Sequence, residues 1–279
     1  VDALVQGIGF VEADPKVRSV GYGGWPNVLG VMECDAGVMD GTTRDVGAVA
    51  AVPETLHVAA LAREVMRRLP HVMLTGAGAR RFADEIGMPR ADMLHPDSKA
   101  VWWDKLAGLL SGAQQARFPD LDLIPLSTAI TDPEKVRDTT VYLGQDASGG
   151  LASVTSTSGW AWKYPGRVGD SPIPGAGYYA DSRYGACACT HTGEMTMRCM
   201  TAHSVVEGLR HGLDLAQAVA DAVQDLRALT TGYLGEVVIH AIDTKGNHRV
   251  VTLAGPKPVS YWIWTSAMAT PERRLSDLA

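Results

Sequence analysis

A segment rich in glycine and proline, residues 166–177, carries two groups that are able to bind a ligand together. It reads Gly-Arg-Val-Gly-Asp-Ser-Pro-Ile-Pro-Gly-Ala-Gly, and its four glycines and two prolines impose an unusual backbone path. Arg167 and Asp170 lie three residues apart on this path. A guanidinium binds a carboxylate through paired hydrogen bonds, and a carboxylate binds an ammonium. The pair therefore suits the zwitterionic head of a free amino acid, although a glycine-rich turn with a surface ion pair would contain the same residues.

A second candidate for chemistry is the hydroxyl of Thr139. The dipeptide Asp138-Thr139 follows a polar stretch that contains a proline, residues 131–137, and precedes the apolar run 140–143. This pattern predicts a loop that opens directly into a strand. A threonine there is ordinarily only a β-former. It becomes a nucleophile when a base takes its proton, and the α-amine of an N-terminal threonine is such a base. That role requires cleavage of the bond between Asp138 and Thr139.

Two further hydroxyl-rich segments follow along the chain. Residues 155–159, Thr-Ser-Thr-Ser-Gly, place Thr157 at the end of the next predicted strand. Residues 189–194, Cys-Thr-His-Thr-Gly-Glu, contain Thr190 and His191 in what reads as a short polar turn. Such a turn is able to supply donors to an oxyanion.

With these segments in this order, the sequence resembles the N-terminal-nucleophile (Ntn) amidohydrolases that include glycosylasparaginase (aspartylglucosaminidase), plant-type L-asparaginase and isoaspartyl peptidase. The resemblance covers nearly the whole chain and is closest to glycosylasparaginase, because of a Tyr-Gly-Gly segment and the Asp-Thr junction. Besides the segments above, it rests on residues 19–24, 35–41, 45–49 and 70–74.

The resemblance implies a role for each matching residue. Thr139 corresponds to the threonine that cuts its own precursor after Asp138 and then attacks the substrate amide. Thr157 corresponds to a second threonine that orients this nucleophile. Thr190 and the backbone N–H of His191 correspond to an oxyanion hole. Family members use no metal and no organic cofactor.

The same resemblance implies how substrate is held and what is released. Arg167 would hold the α-carboxylate of the substrate, and Asp170 its α-ammonium. The Thr139 hydroxyl would attack the side-chain amide carbon of an asparagine derivative, an ester would form as the amine leaves, and water would release aspartate.

Three residues depart from the family pattern. Arg137 stands where glycosylasparaginases have histidine, next to the predicted cleavage point. Val141 and His191 occupy positions that are commonly glycine. Any residue supplies a backbone N–H, so the oxyanion role is compatible with His191, whose imidazole would nevertheless change the pocket.

The first residues read as the interior of an amphipathic helix. Val1, Leu4, Val5, Ile8 and Val11 recur at helical spacing, and no capping residue precedes them. We therefore expect the chain to be N-terminally incomplete. The resemblance implies a preceding strand and a tryptophan that contacts substrate.

Composition is that of an ordinary globular protein. The chain has 279 residues, 46% hydrophobic and 20% charged, with a formal net charge of −6. This charge balance disfavours nucleic acid as a partner, and no apolar run approaches the length of a membrane span. We expect a protein without nucleic-acid or membrane partners, with the cytoplasm slightly favoured as its compartment.

The four cysteines do not indicate a disulfide-rich module. Cys187, Cys189 and His191 alternate along one segment, which would place them on one face of a strand, but no fourth metal ligand is evident nearby. We interpret the cysteines as buried thiols beside a pocket and predict no metal.

The order of apolar segments favours a sheet core with helices outside. We predict helices near residues 53–69, 78–87, 97–110, 200–211 and 213–229, and strands near 30–38, 47–52, 139–145, 151–157, 237–242, 249–253 and 259–264. Residues 111–137 read as a loop. The resemblance implies an α+β fold, the four-layer αββα sandwich of Ntn-hydrolases, as a single domain over residues 1–279 that divides into 1–138 and 139–279.

These observations predict an amidohydrolase of the glycosylasparaginase type, with L-asparaginase activity close to it. Isoaspartyl peptidase activity is the enzymatic alternative. A silent, unprocessed family member that binds aspartate without turnover is an alternative of another class. A small amino-acid amide is the expected substrate, and the resemblance implies a homodimer of processed protomers. Trp160 and Trp162 fall between Thr157 and Arg167, where they could border a sugar site.

Overall fold

The computed structural model of the chain describes residues 1–132 and 139–279. Asp138, which we predict to precede the cleavage point, and Arg137 lie outside the described residues.

The first of two large sheets has five strands in the order β3-β2-β1-β5-β4. β1, β2 and β5 pair antiparallel through the centre, β4 pairs antiparallel with β5, and β3 pairs parallel with β2. The strands are β1 (Cys34–Asp40), β2 (Val46–Val52), β3 (Met73–Thr75), β4 (Thr140–Gln145) and β5 (Leu151–Thr157).

The second large sheet also has five strands, in the order β12-β9-β8-β7-β6. Its central part is an antiparallel meander, and β12 adds a short parallel edge. A separate hairpin is formed by β10 and β11. The strands are β6 (Tyr178–Asp181), β7 (Gly185–His191), β8 (Val237–Asp243), β9 (His248–Leu253), β10 (Ser260–Ile263), β11 (Glu272–Leu275) and β12 (Asp277–Leu278).

Every residue of β5 is buried, as are the first six residues of β1 and of β7, so both faces of these strands are covered. These strands contain many small residues and lack the regular apolar–polar alternation of a strand with one solvent face. The two sheets contact each other through β1, β5 and β6 and through β4, β5 and β7. At Gly37 of β1 an added Cβ would come within 2.2 Å of the Tyr178 ring of β6, so a glycine is needed for this close approach.

Helices cover the outer faces of both sheets. α1 and α2 pack against the first sheet, and α8 and α9 against the second. Each of these contacts buries an apolar helix face, such as Val58, Leu61 and Val65 of α2. The helices are α1 (Asp2–Ala13), α2 (Val58–Arg68), α3 (Gly76–Glu85), α4 (Pro96–Leu109), α5 (Gly112–Arg117), α6 (Leu123–Ile130), α7 (Gly193–Cys199), α8 (Thr201–Arg210) and α9 (Leu215–Arg227).

The interpretation of residues 111–137 as a loop was wrong for the part that the structure describes. Ser111 and Gln114 form a reciprocal capping box at the start of α5. The Asp122 side chain accepts a hydrogen bond from the N–H of Ile124 and begins α6. Two short helices therefore occupy this region, and α6 packs its buried face against a satellite core that includes Trp102 and Trp162.

The polar turn that we predicted at residues 189–194 was also wrong. The first three residues of this segment end β7, and α7 begins at Gly193, so the turn is reduced to Thr192. Among the helices in the described ranges, none is both long and apolar enough to cross a membrane.

Candidate active site

A small cavity lies where β4 begins and where β5 and β7 end. Its volume is about 20 Å³. Six of the residues singled out in the sequence line it. The lining residues are Thr139, Thr157, Gly159, Trp160, Arg167, Gly169, Asp170, Ser171 and His191.

The strand register of the first sheet brings the two threonines together. Thr140 pairs with Ser156 in the antiparallel ladder between β4 and β5. The preceding residue, Thr139, therefore falls opposite Thr157. The Thr139 Oγ1 lies 3.4 Å from the Ser171 Oγ, and the Thr157 Oγ1 accepts a hydrogen bond of 3.0 Å from the N–H of Gly159.

Arg167 is held in the cavity wall by Glu194 of α7 and by Trp160. Its Nε and Nη2 donate to the Glu194 carboxylate at distances of 2.7–2.9 Å. The guanidinium carbon lies 4.3 Å from the centre of the Trp160 ring, a cation–π geometry. Trp160 in turn packs edge-on against Tyr233, with ring centres 5.3 Å apart. The guanidinium is thus oriented on two sides before any ligand is bound.

Asp170 is almost fully buried, at 3% exposure. Its Oδ2 accepts a hydrogen bond of 2.6 Å from Thr196 of α7. Burial raises the pKa of Asp170 to about 6, against the smaller opposing effects of this hydrogen bond and of Arg167. Gly193 makes room for the carboxylate, because a Cβ there would lie 2.7 Å from Asp170 Oδ1. Ionisation of a buried carboxylate is unfavourable unless a positive charge lies beside it, so Asp170 is well suited to bind a cation.

Thr190 and His191 form the last two residues of β7. The Thr192 N–H donates to the Glu236 carbonyl at 3.0 Å, so in an antiparallel ladder the N–H of His191 points away from β8. Two residues earlier, the N–H of Cys189 points to the same side and donates to Gly177. The N–H of His191 therefore faces the loop that carries Asp170, as an oxyanion donor would require.

The His191 side chain touches both a threonine and a glutamate. Its Nδ1 lies 2.8 Å from the Thr190 Oγ1, and its Nε2 lies 3.7 Å from Glu236 Oε1. The His191 backbone has φ of +85°, a value that favours glycine.

The structure thus brings Thr139, Thr157, Arg167, Asp170 and His191 to one cavity, with Thr190 bonded to His191. Sequence reasoning missed Ser171 and Glu194. Ser171 directly follows Asp170 in the glycine-rich segment, and Glu194 ends the segment that contains Thr190, so proximity along the chain was the available signal. That Ser171 lies next to Thr139, and Glu194 next to Arg167, depends on the tertiary structure.

Of the two tryptophans that we considered for a sugar site, only Trp160 lines the cavity. Trp162 is fully buried and packs edge-on against Trp25 in the satellite core, so its assignment to the site was wrong. Cys187 and Cys189 are fully buried in the core between the second sheet and its helices, as predicted. Across residues 1–132 and 139–279, no group of three or more His, Cys, Asp or Glu side chains is arranged to hold a metal ion.

Comparison with known proteins identifies relatives of this chain. The protein-family profile described as Asparaginase matches residues 1–260. The chain is 36% identical over 224 residues to the N(4)-(Beta-N-acetylglucosaminyl)-L-asparaginase of Elizabethkingia miricola, covering 80% of this chain and 61% of that protein. It is 35% identical over 274 residues to the isoaspartyl peptidase of Salmonella typhimurium, covering 97% of this chain and 82% of that protein.

A third relative is the N(4)-(Beta-N-acetylglucosaminyl)-L-asparaginase of Rattus norvegicus, 32% identical over 259 residues, with 85% of this chain and 73% of that protein covered. The chain spans about two thirds or less of the length of several such relatives, 66% for one from Drosophila erecta. The profile match and these identities show that the chain belongs to the asparaginase family, the Ntn-hydrolase family of glycosylasparaginase and isoaspartyl peptidase.

Proposed function

We propose that the chain is an amidohydrolase that cleaves the side-chain amide of asparagine derivatives and releases aspartate. The observation that carries the proposal is that one hydroxyl, Thr139, lines the same small cavity as a guanidinium, Arg167, and a buried carboxylate, Asp170. A free amino acid offers a carboxylate and an ammonium to such a pair. Its side-chain amide is then the part of the molecule left to meet the hydroxyl.

The nucleophile is proposed to arise by cleavage of the bond between Asp138 and Thr139. The new α-amine of Thr139 takes the proton of its own hydroxyl as Oγ attacks the amide carbon. The same proton passes to the departing nitrogen as the C–N bond breaks, which leaves an ester on Thr139. Water then attacks this ester, and aspartate leaves. Thr157, opposite Thr139 in the sheet register, is proposed to keep the threonine hydroxyl in place.

The negative charge that develops on the amide oxygen needs donors. The Thr190 hydroxyl and the N–H of His191 are proposed for this role, and the direction of that N–H away from β8 supports it. Two donors placed in advance at a developing oxyanion each lower the barrier by roughly 2.7–4 kcal/mol.

The leaving group distinguishes the candidate activities. In the proposed binding mode the amino-acid head is anchored inside, and the leaving group faces outward past Trp160. We propose glycosylated asparagine, with asparagine itself, as the substrate class, because relatives from several organisms carry that name. Isoaspartyl dipeptide hydrolysis is the alternative, favoured by the Salmonella typhimurium relative, which aligns with 97% of this chain.

We further propose that the two sheets and the helices outside them form the four-layer αββα sandwich of Ntn-hydrolases. Contacts between the sheets, and between each sheet and its own helices, support this arrangement. The division into parts 1–138 and 139–279 and the pairing of processed protomers into a homodimer are proposed on the family resemblance.

Intact-protein mass spectrometry under denaturing conditions tests the origin of the nucleophile. Cleavage before Thr139 yields two pieces of 138 and 141 residues, which a gel would not separate, and the second piece begins at Thr139. Thr139→Ala is expected to remain one chain and to release no aspartate. Thr128→Ala, which removes an exposed hydroxyl of α6, is the matched control and should be processed and active.

Kinetics with asparagine, N4-glycosylated asparagine and β-aspartyl dipeptides then rank the leaving groups. A processed protein that releases aspartate from none of them contradicts the proposed function. A single uncut mass together with binding of aspartate, measured by calorimetry and lost in Arg167→Ala, would instead establish the silent aspartate-binding alternative.

A further inference from the structure

His191 keeps a side chain in a backbone conformation where glycine is preferred. Its φ of +85° lies in the left-handed region, which is unfavourable for a residue with a Cβ. The imidazole is nevertheless packed, with its side chain only 6% exposed, and it lines the cavity beside Thr139. A side chain retained at this cost, at this place, is a candidate for a role in the reaction.

The two ring nitrogens of His191 make different contacts. Nδ1 is 2.8 Å from the hydroxyl oxygen of Thr190, and Nε2 faces the carboxylate of Glu236 at 3.7 Å. Glu236 is itself 6% exposed. Gly255 makes room for it, because a Cβ at residue 255 would lie 2.8 Å from the Glu236 carboxylate. The imidazole therefore lies between the Thr190 hydroxyl and the Glu236 carboxylate.

The protonation state of the ring decides what the Thr190 hydroxyl is able to do. In a neutral ring that carries its proton on Nε2, toward Glu236, Nδ1 is an acceptor, and the Thr190 proton is then directed to the ring. In an imidazolium, Nδ1–H donates to the Thr190 oxygen instead. The Thr190 proton is then free to point to a substrate oxygen, and Glu236 balances the positive charge.

Among the residues that the structure describes, the charged groups near His191 are compatible with one positive charge on the ring. Glu236, next to β8, faces Nε2. His240 of β8 stays neutral, because burial, assisted by His191, lowers its pKa to about 4. Across the cavity lie Asp170 and Arg167, and the Arg167 charge is already balanced by Glu194 of α7. The proposed α-amine of Thr139 is a further titratable group at the cavity.

We propose that His191 is a positioning residue whose imidazolium, paired with Glu236, turns and polarises the Thr190 hydroxyl as an oxyanion donor. This inference rests on the proposed amidohydrolase function. Turnover then requires His191 to be protonated, so kcat falls as the pH rises through the pKa of His191. For a family member with glycine at this position, we expect no such fall in kcat at high pH.

The pH profile of kcat for aspartate release, measured for the processed wild type and four variants, tests the proposal. His191→Asn keeps a left-handed-tolerant residue with an amide donor near the position of Nδ1, so the falling limb should disappear while kcat stays within about threefold. His191→Gly removes the ring and should lower kcat about tenfold, less than the loss of a whole oxyanion donor. Glu236→Gln should move the falling limb to lower pH. His211→Asn is the control, since His211 is an exposed histidine with its own glutamate partner, and its profile should match that of the wild type.

A falling limb that persists unchanged in both His191→Asn and His191→Gly overturns the inference while leaving the hydrolase intact. A wild type that releases no aspartate contradicts the proposed function instead. In that case, histidine NMR of the same protein decides the inference: a His191 ring that titrates at the same pH in the wild type and in Glu236→Gln overturns it. A His191 titration that falls to lower pH in Glu236→Gln supports the imidazolium–carboxylate pair.

Discussion

Glu194 holds Arg167 by one edge of its guanidinium and leaves the other edge toward the cavity. Nε and Nη2 donate to the Glu194 carboxylate. Nη1 lies beside two glycines of the cavity wall, since an added Cβ would lie 3.3 Å from it at Gly159 and 3.1 Å from it at Gly169. One guanidinium is thus able to bind a carboxylate of the protein and one of a ligand together, because it has five N–H donors and those on Nη1 are not the ones that contact Glu194.

From this geometry we expect Glu194→Gln to weaken substrate binding rather than chemistry. A charge-assisted hydrogen bond contributes about 1.5–3 kcal/mol, so KM for an asparagine substrate should rise about tenfold or more, with kcat nearly unchanged. Steady-state kinetics measure both. Glu272→Gln, which disrupts an exposed pair with Arg274, is the control. A fall in kcat at constant KM would show that Glu194 does not act through substrate anchoring.

The raised pKa of Asp170 predicts the acid limb of activity. The proposed role of Asp170 requires its ionised form, and its pKa lies near 6. We expect kcat/KM, which reports groups of the free enzyme, to fall as the pH drops through about 6. The decline should be about tenfold per pH unit for one proton. A kcat/KM that is independent of pH between 5 and 7 would show that Asp170 does not bind the α-ammonium of the substrate.

The same burial predicts that Asp170→Asn is more stable than the wild type at neutral pH. A carboxyl whose pKa is raised by folding binds its proton more tightly in the native state, so its ionisation lowers stability as the pH rises from about 4 to 6. The cost is on the order of 3 kcal/mol. Thermal denaturation should show a higher Tm for Asp170→Asn at pH 7 and a smaller difference at pH 4, together with a loss of activity. A Tm below that of the wild type at both pH values would contradict this account.

His57 and Glu12 predict a pH dependence of stability away from the site. Glu12 is fully buried, and its Oε1 accepts hydrogen bonds from Ala59 and Ser156. Its Oε2 lies 3.4 Å from Nδ1 of His57. This contact with the Glu12 carboxylate raises the pKa of His57 above 6.5. The resulting stabilisation is complete below pH 6.5 and is lost as the pH rises through the raised folded pKa.

For His57→Gln we therefore expect a Tm below that of the wild type at pH 6 and a smaller difference at pH 8.5. Thermal denaturation of both proteins between pH 6 and pH 8.5 measures this difference in Tm. A wild-type Tm that shows no such pH-dependent difference from the variant would mean that the pair does not form in solution.

Trp160 and Trp162 should respond differently to substitution, although they are two residues apart. Trp160→Ala removes the ring beside Arg167, and a cation–π contact contributes about 1 kcal/mol. We expect KM to rise severalfold, more for a glycosylated substrate than for asparagine. Trp162→Phe changes a fully buried ring, so we expect a lower Tm with KM unchanged. A shift in KM for Trp162→Phe, or none for Trp160→Ala, would reverse this assignment.

Local patterns predicted the regular elements best where burial is uniform. The predicted strand at residues 151–157 coincides with β5, whose β-branched Val154, Thr155 and Thr157 favour a strand. The predicted helices at residues 200–211 and 213–229 correspond to α8 and α9, whose apolar residues face one sheet. The region that contains α5 and α6 was not recognised, because these short helices are specified by caps at Ser111 and Asp122 rather than by a long apolar face.

By itself, the sequence determined that Arg167 and Asp170 lie close together, since three residues on a path restricted by glycine and proline leave little freedom. It also determined the residue types of the candidate site. The tertiary structure alone decided that Glu194 orients Arg167, that Ser171 lies next to Thr139, and that Glu236 faces His191. These pairs form across elements that are distant in the chain, so they depend on how the two sheets pack and on strand register, which no local pattern encodes.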